Sequence, residues 1–330
     1  MNKDRITCWT LTNGVTAYKK QTAGIAEALG LNYIEKICKR HAPWRWLPAN
    51  IKLNALNQLT QSSDSLKPPW PDLLISSGRR TIALSLAIKK ASRQKTKVIY
   101  VQNPRINPKL FDVIISPEHD HLTGPNIIQT VGATHDITTE KLEAAKKEFE
   151  LEFAKLPRPL LAIFIGGSNG SYPRNHYHFG TAEAKQLAQT LIEISTDYPG
   201  TLLISSSRRT GKENTALMKS ILSPYSNIHF YEESKKNPYL AMLALADTIM
   251  VTNDSVSMVS EACFTGKPVY LLPLPGYRAE KRRNYYFIKT SLDKGTIRYY
   301  NGSIERWNYQ RLHEVERITP HIDKILSNII

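Results

Sequence analysis

The segment Thr252-Asn253-Asp254-Ser255-Val256-Ser257-Met258-Val259-Ser260-Glu261 has the residue types and spacing of an anion site. The apolar run ending at Thr252 reads as a strand, and the residues after it as a helix beginning near Asp254. The first N–H groups of a helix have no partner within it, so those of Ser255, Val256 and Ser257 are offered to an anion, with serine hydroxyls as extra donors. Asp254 reads as the cap of that helix. Glu261 lies seven residues beyond it and shares its face. A carboxylate there either accepts both hydroxyls of a ribose or is a solvated surface group.

Two further segments of the second half end predicted strands. Ser205-Ser206-Ser207-Arg208-Arg209-Thr210 offers hydroxyls and two guanidiniums, which suit a diphosphate because arginine binds phosphate oxygens bidentately. The alternative is an exposed basic loop. Gly166-Gly167-Ser168-Asn169-Gly170-Ser171 either lets backbone approach a ligand or is a plain turn. It lacks the Gly-Lys-Ser/Thr ending of a nucleotide P-loop and is not G-x-G-x-x-G, which excludes those NTPase and dinucleotide-dehydrogenase signatures.

The first half repeats the theme. Ser76-Ser77-Gly78-Arg79-Arg80-Thr81 opens from a strand into a helix, Arg105 follows a second strand, and Pro117-Glu118-His119-Asp120-His121 a third. His119 beside carboxylates is a candidate general base, and Asp120 either takes a proton directly or tunes the imidazole; the alternative is an ordinary loop. Adjacent residues rarely converge on one ion, and no distant partner accompanies His119, Asp120 and His121, so no metal is expected.

These residues need a framework. Short apolar runs alternate with amphipathic stretches, the pattern of βα units around parallel sheets. Strands are predicted at 6–11, 73–76, 98–101 and 113–115, then at 160–165, 201–205, 227–231, 248–251 and 269–272. A helix over 139–156, capped by Thr139, ends at Leu156-Pro157-Arg158-Pro159, because proline disfavours helix in the residue before it. The predicted organisation is a Rossmann-like domain over 1–156, a second over 157–307 and a helical tail over 308–330 packing back on the first. Ligands bind such sheets at the carboxyl ends of the strands, so the expected site is a central cleft faced by both domains.

The 330 residues carry 44 Lys plus Arg against 29 Asp plus Glu, a formal charge of +15 that favours anionic partners. No helix-turn-helix, zinc-finger or RNA-binding signature accompanies that charge, so nucleic acid is not an expected partner. Basic clusters fall at 36–45, 89–97 and 281–283. In the first, Trp44 and Trp46 flank Arg45; the pair either packs into the core or forms, with the cations, a peripheral patch on an anionic membrane or beside a lipid-linked acceptor. Three cysteines without C-x-x-C spacing argue against a disulfide framework. With no secretory signal or spanning segment predicted, the expectation is a cytoplasmic protein, peripheral on the inner membrane face if that patch acts.

Taken together, Ser77-Gly78-Arg79-Arg80, Phe111-Asp112, Pro117-x-His119-Asp120, Gly166-Gly167, Ser207-Arg208-Arg209-Thr210, Asn237-Pro238-Tyr239 and Asp254-Ser255-x-Ser257-Met258-x-Ser260-Glu261-Ala262-x-x-x-Gly266-Lys267-Pro268 resemble the mitochondrial fission Elm family over nearly the whole chain. The resemblance implies an α/β, GT-B-like architecture of two Rossmann-like domains around a nucleotide-sugar cleft. The Ser257–Glu261 element is also similar to the donor helix of the GT-B enzyme that adds N-acetylglucosamine to the lipid-linked peptidoglycan precursor. That likeness implies Ser255 and Ser257 at the diphosphate, Glu261 on the ribose, and Arg208 or Arg209 near the phosphates; Met258, in the same motif, is counted with the diphosphate residues. The Gly-rich amino-terminal loop of that enzyme is absent here, so no catalytic base carries over. The expected activity is that of an inverting, metal-independent glycosyltransferase with a nucleotide-diphosphate sugar as substrate and no cofactor. The alternatives are a non-catalytic membrane-recruited adaptor, the role described for plant relatives, and a nucleotide-sugar epimerase.

Overall fold

The computed structural model describes residues 5–44, 54–169, 177–231, 236–274 and 283–327. The chain divides into two compact units, residues 1–136 with 313–330, and residues 137–312. The first unit is built on β1 (Cys8–Thr12), α1 (Thr16–Ala28), β2 (Tyr33–Ile37), β3 (Leu73–Ser77), α2 (Ile82–Ala91), β4 (Lys97–Val101), β5 (Val113–Pro117) and β6 (Ile127–Thr130). All pairings are parallel, in the order β2-β1-β3-β4-β5-β6. β1 and β3 are buried along their whole length, as parallel strands with covered faces must be.

The second unit begins at α3 (Thr139–Phe153), followed by β7 (Leu160–Ile165), α4 (Thr181–Asp197), β8 (Thr201–Ser206), α5 (Lys212–Leu222) and β9 (Ile228–Tyr231). The chain continues with α6 (Tyr239–Leu245), β10 (Thr248–Thr252), α7 (Val256–Phe264), β11 (Val269–Leu272), α8 (Arg283–Asp293) and the short β12 (Arg298–Tyr299). The order β12-β11-β10-β7-β8-β9 is parallel throughout and reverses direction between β7 and β10. One face is closed by α4 and α5 through Leu187, Leu191, Met218 and Leu222.

The last helix, α9 (Glu314–Ser327), belongs to the first unit. Its Ile318, Ile322 and Leu326 lie in one cluster with Ile25 of α1, Leu29 just after that helix, and Leu73 and Ile75 of β3. Glu314, only 4% exposed, fixes its start by accepting from the Val131 N–H (3.1 Å). α2 closes the opposite face through Ile82, Leu84 and Ile88.

Three expectations change. The unit boundary falls after residue 136 rather than 156, because α3 packs on the second unit: its Phe153 ring stacks on Tyr231 of β9 (5.7 Å) and its main neighbour is α6. The prolines at 157 and 159 mark the end of a helix, not of a domain. Thr138, not Thr139, caps α3, accepting from Lys141 N–H (3.3 Å). Finally, β2, β6 and β12 join the sheets at or near their edges, where few apolar residues announce a strand.

Candidate functional site

In the second unit the strand order reverses between β7 and β10, the place where doubly wound sheets open a crevice at their carboxyl ends. β7 runs out there into Gly166 and Gly167, and β10 into Asn253, Asp254 and Ser255. The cap of α7 is Ser255, whose side chain accepts from the Met258 N–H (3.4 Å), so the helix starts one residue later than predicted. Val256 and Ser257 supply its first N–H groups, and Ser257 and Met258 are half-buried.

Asp254, assigned to capping from the sequence, instead has a fully buried carboxylate that ties the crevice floor together. Thr252 Oγ1 donates to its Oδ1 (2.6 Å), while the Gly167 N–H (3.1 Å) and the Arg209 guanidinium donate to Oδ2. The Gly166 N–H in turn donates to Thr252 Oγ1 (2.7 Å), linking β7 to β10. The glycine pair serves this network: a Cβ on Gly166 would fall 2.2 Å from both Asp254 oxygens, and one on Gly167 2.2 Å from the Arg209 carbonyl. Gly167 also has φ +149°, which a side chain disfavours.

The Ser207–Thr210 turn docks on the same pair. Ser207 Oγ donates to the Gly166 carbonyl (2.9 Å), as does the Thr210 hydroxyl, and Arg209 Nη1 donates to the Gly167 carbonyl (3.3 Å). Arg209 thus has a structural bond to Asp254 and a side chain still 35% exposed, while Arg208 is exposed. The predicted phosphate residues Gly166, Gly167, Ser207, Arg209, Thr210 and Asp254 therefore form one bonded assembly, with Ser255 next in the chain. Gly170 and Ser171, predicted to extend the glycine loop, lie outside the described residues.

Glu261 belongs to a second cluster. It is 2% exposed, which excludes the solvated reading, and its Oε2 accepts from the Tyr239 hydroxyl. The Tyr239 ring lies against Phe164 of β7 (centroids 4.7 Å apart). Below it, Lys267 Nζ donates to the carbonyls of Leu243 (2.7 Å) and Ala244 at the end of α6. Burial pulls that ammonium down from 10.5 to about 8.

Four contributors had no role assigned from the sequence: Thr252, Tyr239, Asn169 and Asn284. Asn169 Nδ2 (3.3 Å) and Asn284 Nδ2 (2.8 Å) both donate to the Asp254 carbonyl. Asn169 Oδ1 is buried with no partner among the described residues. Tyr239 lay within the Asn-Pro-Tyr motif and Thr252 at a strand end; Asn284 gave no signal.

In the first unit, the predicted residues sit at three neighbouring strand ends. Ser77 closes β3, with Oγ donating to Gln21 Oε1 (2.9 Å), and Gly78 follows at φ +94° under the Tyr18 ring. Arg79 is exposed, and Arg105, after β4, takes φ +54° with its N–H donating to Asn103 Oδ1 (2.8 Å). His119 and Asp120 share one 3-10 turn after β5, and Ser116 Oγ donates to Asp120 Oδ2 (3.4 Å). Trp44 is half-buried, and Arg45 and Trp46 lie outside the described residues. Among the described residues, no helix is long and apolar enough to cross a membrane.

A model of the family described as Mitochondrial fission ELM1 matches residues 18–326. The chain belongs to this family. It is 29% identical over 283 residues to the mitochondrial fission protein ELM1 of Arabidopsis thaliana, covering 78% of this chain and 64% of that protein. An uncharacterized protein of Rickettsia prowazekii (strain Madrid E) is 28% identical over 313 residues, 83% of either chain. Among solved structures, the UDP-GlcNAc 2-epimerase of Neisseria meningitidis bound to UDP-GlcNAc matches with a TM-score of 0.55 at 17% identity, over 98% of this chain and 99% of that one. MurG of Acinetobacter baumannii matches with 0.50 at 11% identity, over 98% and 93%. This ELM1 family member thus has an α/β fold of the GT-B type, as the resemblance implied.

Proposed function

We propose that this ELM1 family member is an inverting glycosyltransferase that takes a nucleotide-diphosphate sugar and works without a bound metal. The observation that carries the reading is the start of α7 at the strand-order reversal, where the first helix N–H groups, at Val256 and Ser257, have no partner among the described residues, and where the partly exposed Arg209 is bonded to Asp254 just before the helix. A diphosphate above the Asp254 floor would take donors from α7, from Ser255 and Ser257, and from Arg208 and Arg209. Those cations would stabilise the charge developing on the leaving diphosphate. Glu261 would take the ribose diol. The UDP and UDP-GlcNAc bound by GT-B-type neighbours support the ligand class. Proton removal from the acceptor is assigned to Asp120 or His119, and the acceptor to a lipid-linked or cell-envelope glycan.

The test is a thermal-shift panel of nucleoside diphosphates. A ligand at a hundred times its dissociation constant adds about 2.7 kcal/mol to the stability of its binding unit. One base raising the melting temperature by several degrees supports the reading, and a flat response across the panel refutes it. Turnover that vanishes with chelator and returns with Mg²⁺ would refute the metal-independent mechanism. That the Arabidopsis relative is a mitochondrial fission protein is compatible with a second reading, a membrane-recruited adaptor without catalysis. That reading expects Glu261→Ala to leave function intact.

A further inference from the structure

We infer that Tyr239 is a positioning residue for Glu261, orienting the buried carboxylate that holds the ribose diol. The inference rests on the nucleotide-binding reading above and adds to it a residue that acts through another.

The phenol is held from several sides. Asn237 Oδ1 accepts from the Tyr239 N–H (3.0 Å), and Pro238 caps α6, so the backbone carrying the ring is set before the helix begins. The ring packs at 55° against Phe164, one residue before the end of β7. Its hydroxyl donates to Glu261 Oε2, which fixes one oxygen of a carboxylate that is 2% exposed. Lys267, just past the end of α7, grips the far end of α6 through the Leu243 and Ala244 carbonyls. α6 and α7 are therefore tied at both ends of α6, once by the phenol and once by the ammonium.

The chemistry suits a carboxylate that must serve a diol. An ionised carboxylate has about four lone-pair sites, enough to accept one phenol and two ribose hydroxyls together. Pinned by a charge-assisted bond in a dry setting, it is aimed beforehand, and its affinity is spent on the ligand rather than on ordering itself. The phenol also compensates a buried carboxylate while the site is empty.

The experiment measures dissociation constants by calorimetry for UDP, GDP and ADP and their 2′,3′-dideoxy counterparts, on the intact chain and on Tyr239→Phe. The expected result is that Tyr239→Phe weakens the ribonucleotide that binds by about tenfold, roughly 1.4 kcal/mol, and leaves its dideoxy counterpart within about twofold. Retained dideoxy binding also shows that the variant is folded. Equal losses for both ligands would mark a merely structural role, and tighter ribonucleotide binding would mark a phenol that competes with the diol; either overturns the inference. In a Glu261→Gln background, adding Tyr239→Phe should cost nothing further, and an additive loss overturns the inference as well. If the intact chain binds none of the nucleotides, the nucleotide reading falls and takes this inference with it. If the intact chain binds and the variant departs from expectation, only the positioning role falls.

Discussion

Replacing Asp254 by alanine should destabilise the second unit more than any loop substitution on its surface. The carboxylate accepts from the Gly167 N–H, from the buried Thr252 hydroxyl and from Arg209. Removing it orphans the first two in a dry place, at about 1–3 kcal/mol each. The guanidinium, 35% exposed, can turn to water, so no cost is added for the broken ion pair. The sum is roughly 2–6 kcal/mol, which for a unit of this size corresponds to a fall of about 4–24 °C in melting temperature. Asp254→Asn should lose about half as much, because the amide keeps one oxygen for Gly167 and Arg209 but loses the charge. Scanning calorimetry on the intact chain reads both values. A melting temperature for Asp254→Ala within about 2 °C of the parent would refute the idea that this carboxylate holds the crevice floor.

Gly167→Ala should be at least as damaging, since its Cβ would meet the Arg209 carbonyl at 2.2 Å and the backbone there is poorly suited to a side chain. Loss of nucleotide binding together with lowered stability is the expected outcome, checked by denaturation and calorimetry. Lys267 gives a pH signature. Its ammonium titrates near 8 when folded and 10.5 when unfolded, so between these values the unfolded state holds more protons and stability rises with pH. Above pH 10 the trend reverses, because the buried Tyr198 and half-buried Tyr231 phenols, pushed up to about 12, resist ionising in the folded state. Lys267→Met should flatten the rise over pH 8–10, removing up to about 2 kcal/mol of slope, and urea titrations at each pH measure it. Glu314→Ala removes the acceptor of the half-buried Val131 N–H and should cost about 0.5–1.5 kcal/mol in the first unit, read by the same denaturation.

How much of this was legible beforehand depended on where the partners lay in the chain. β7 was plain because Leu160–Ile165 is a continuous apolar run, and α7 because Gly266 and Pro268 punctuate its end. β2 was not, since Tyr-Ile-Glu-Lys-Ile mixes exposed charge with apolar residues at a sheet edge. The phosphate segments were found because helix starts and strand ends are local signals. Their internal wiring was hidden: Gly166 meets Thr252 across 86 positions and Gly167 meets Asp254 across 87. Hence the glycines read as openings for a ligand, whereas they make room for a carboxylate and a carbonyl of the protein itself. Glu261 illustrates the same limit, for nothing near it announced the phenol 22 residues earlier.

The return of α9 to the first unit bears on how the polypeptide emerges from the ribosome. Ile318, Ile322 and Leu326 complete a core that was begun by Cys8, so that core stays open until α9 has left the exit tunnel. Residues 137–312 have all been translated by then. At about 5–20 residues per second, the inserted unit and α9 take roughly 10–40 s to make. The usual amino-terminal-first order is inverted: the inner unit is complete first, and the outer one waits, with one face of its sheet partly bare, for its last helix.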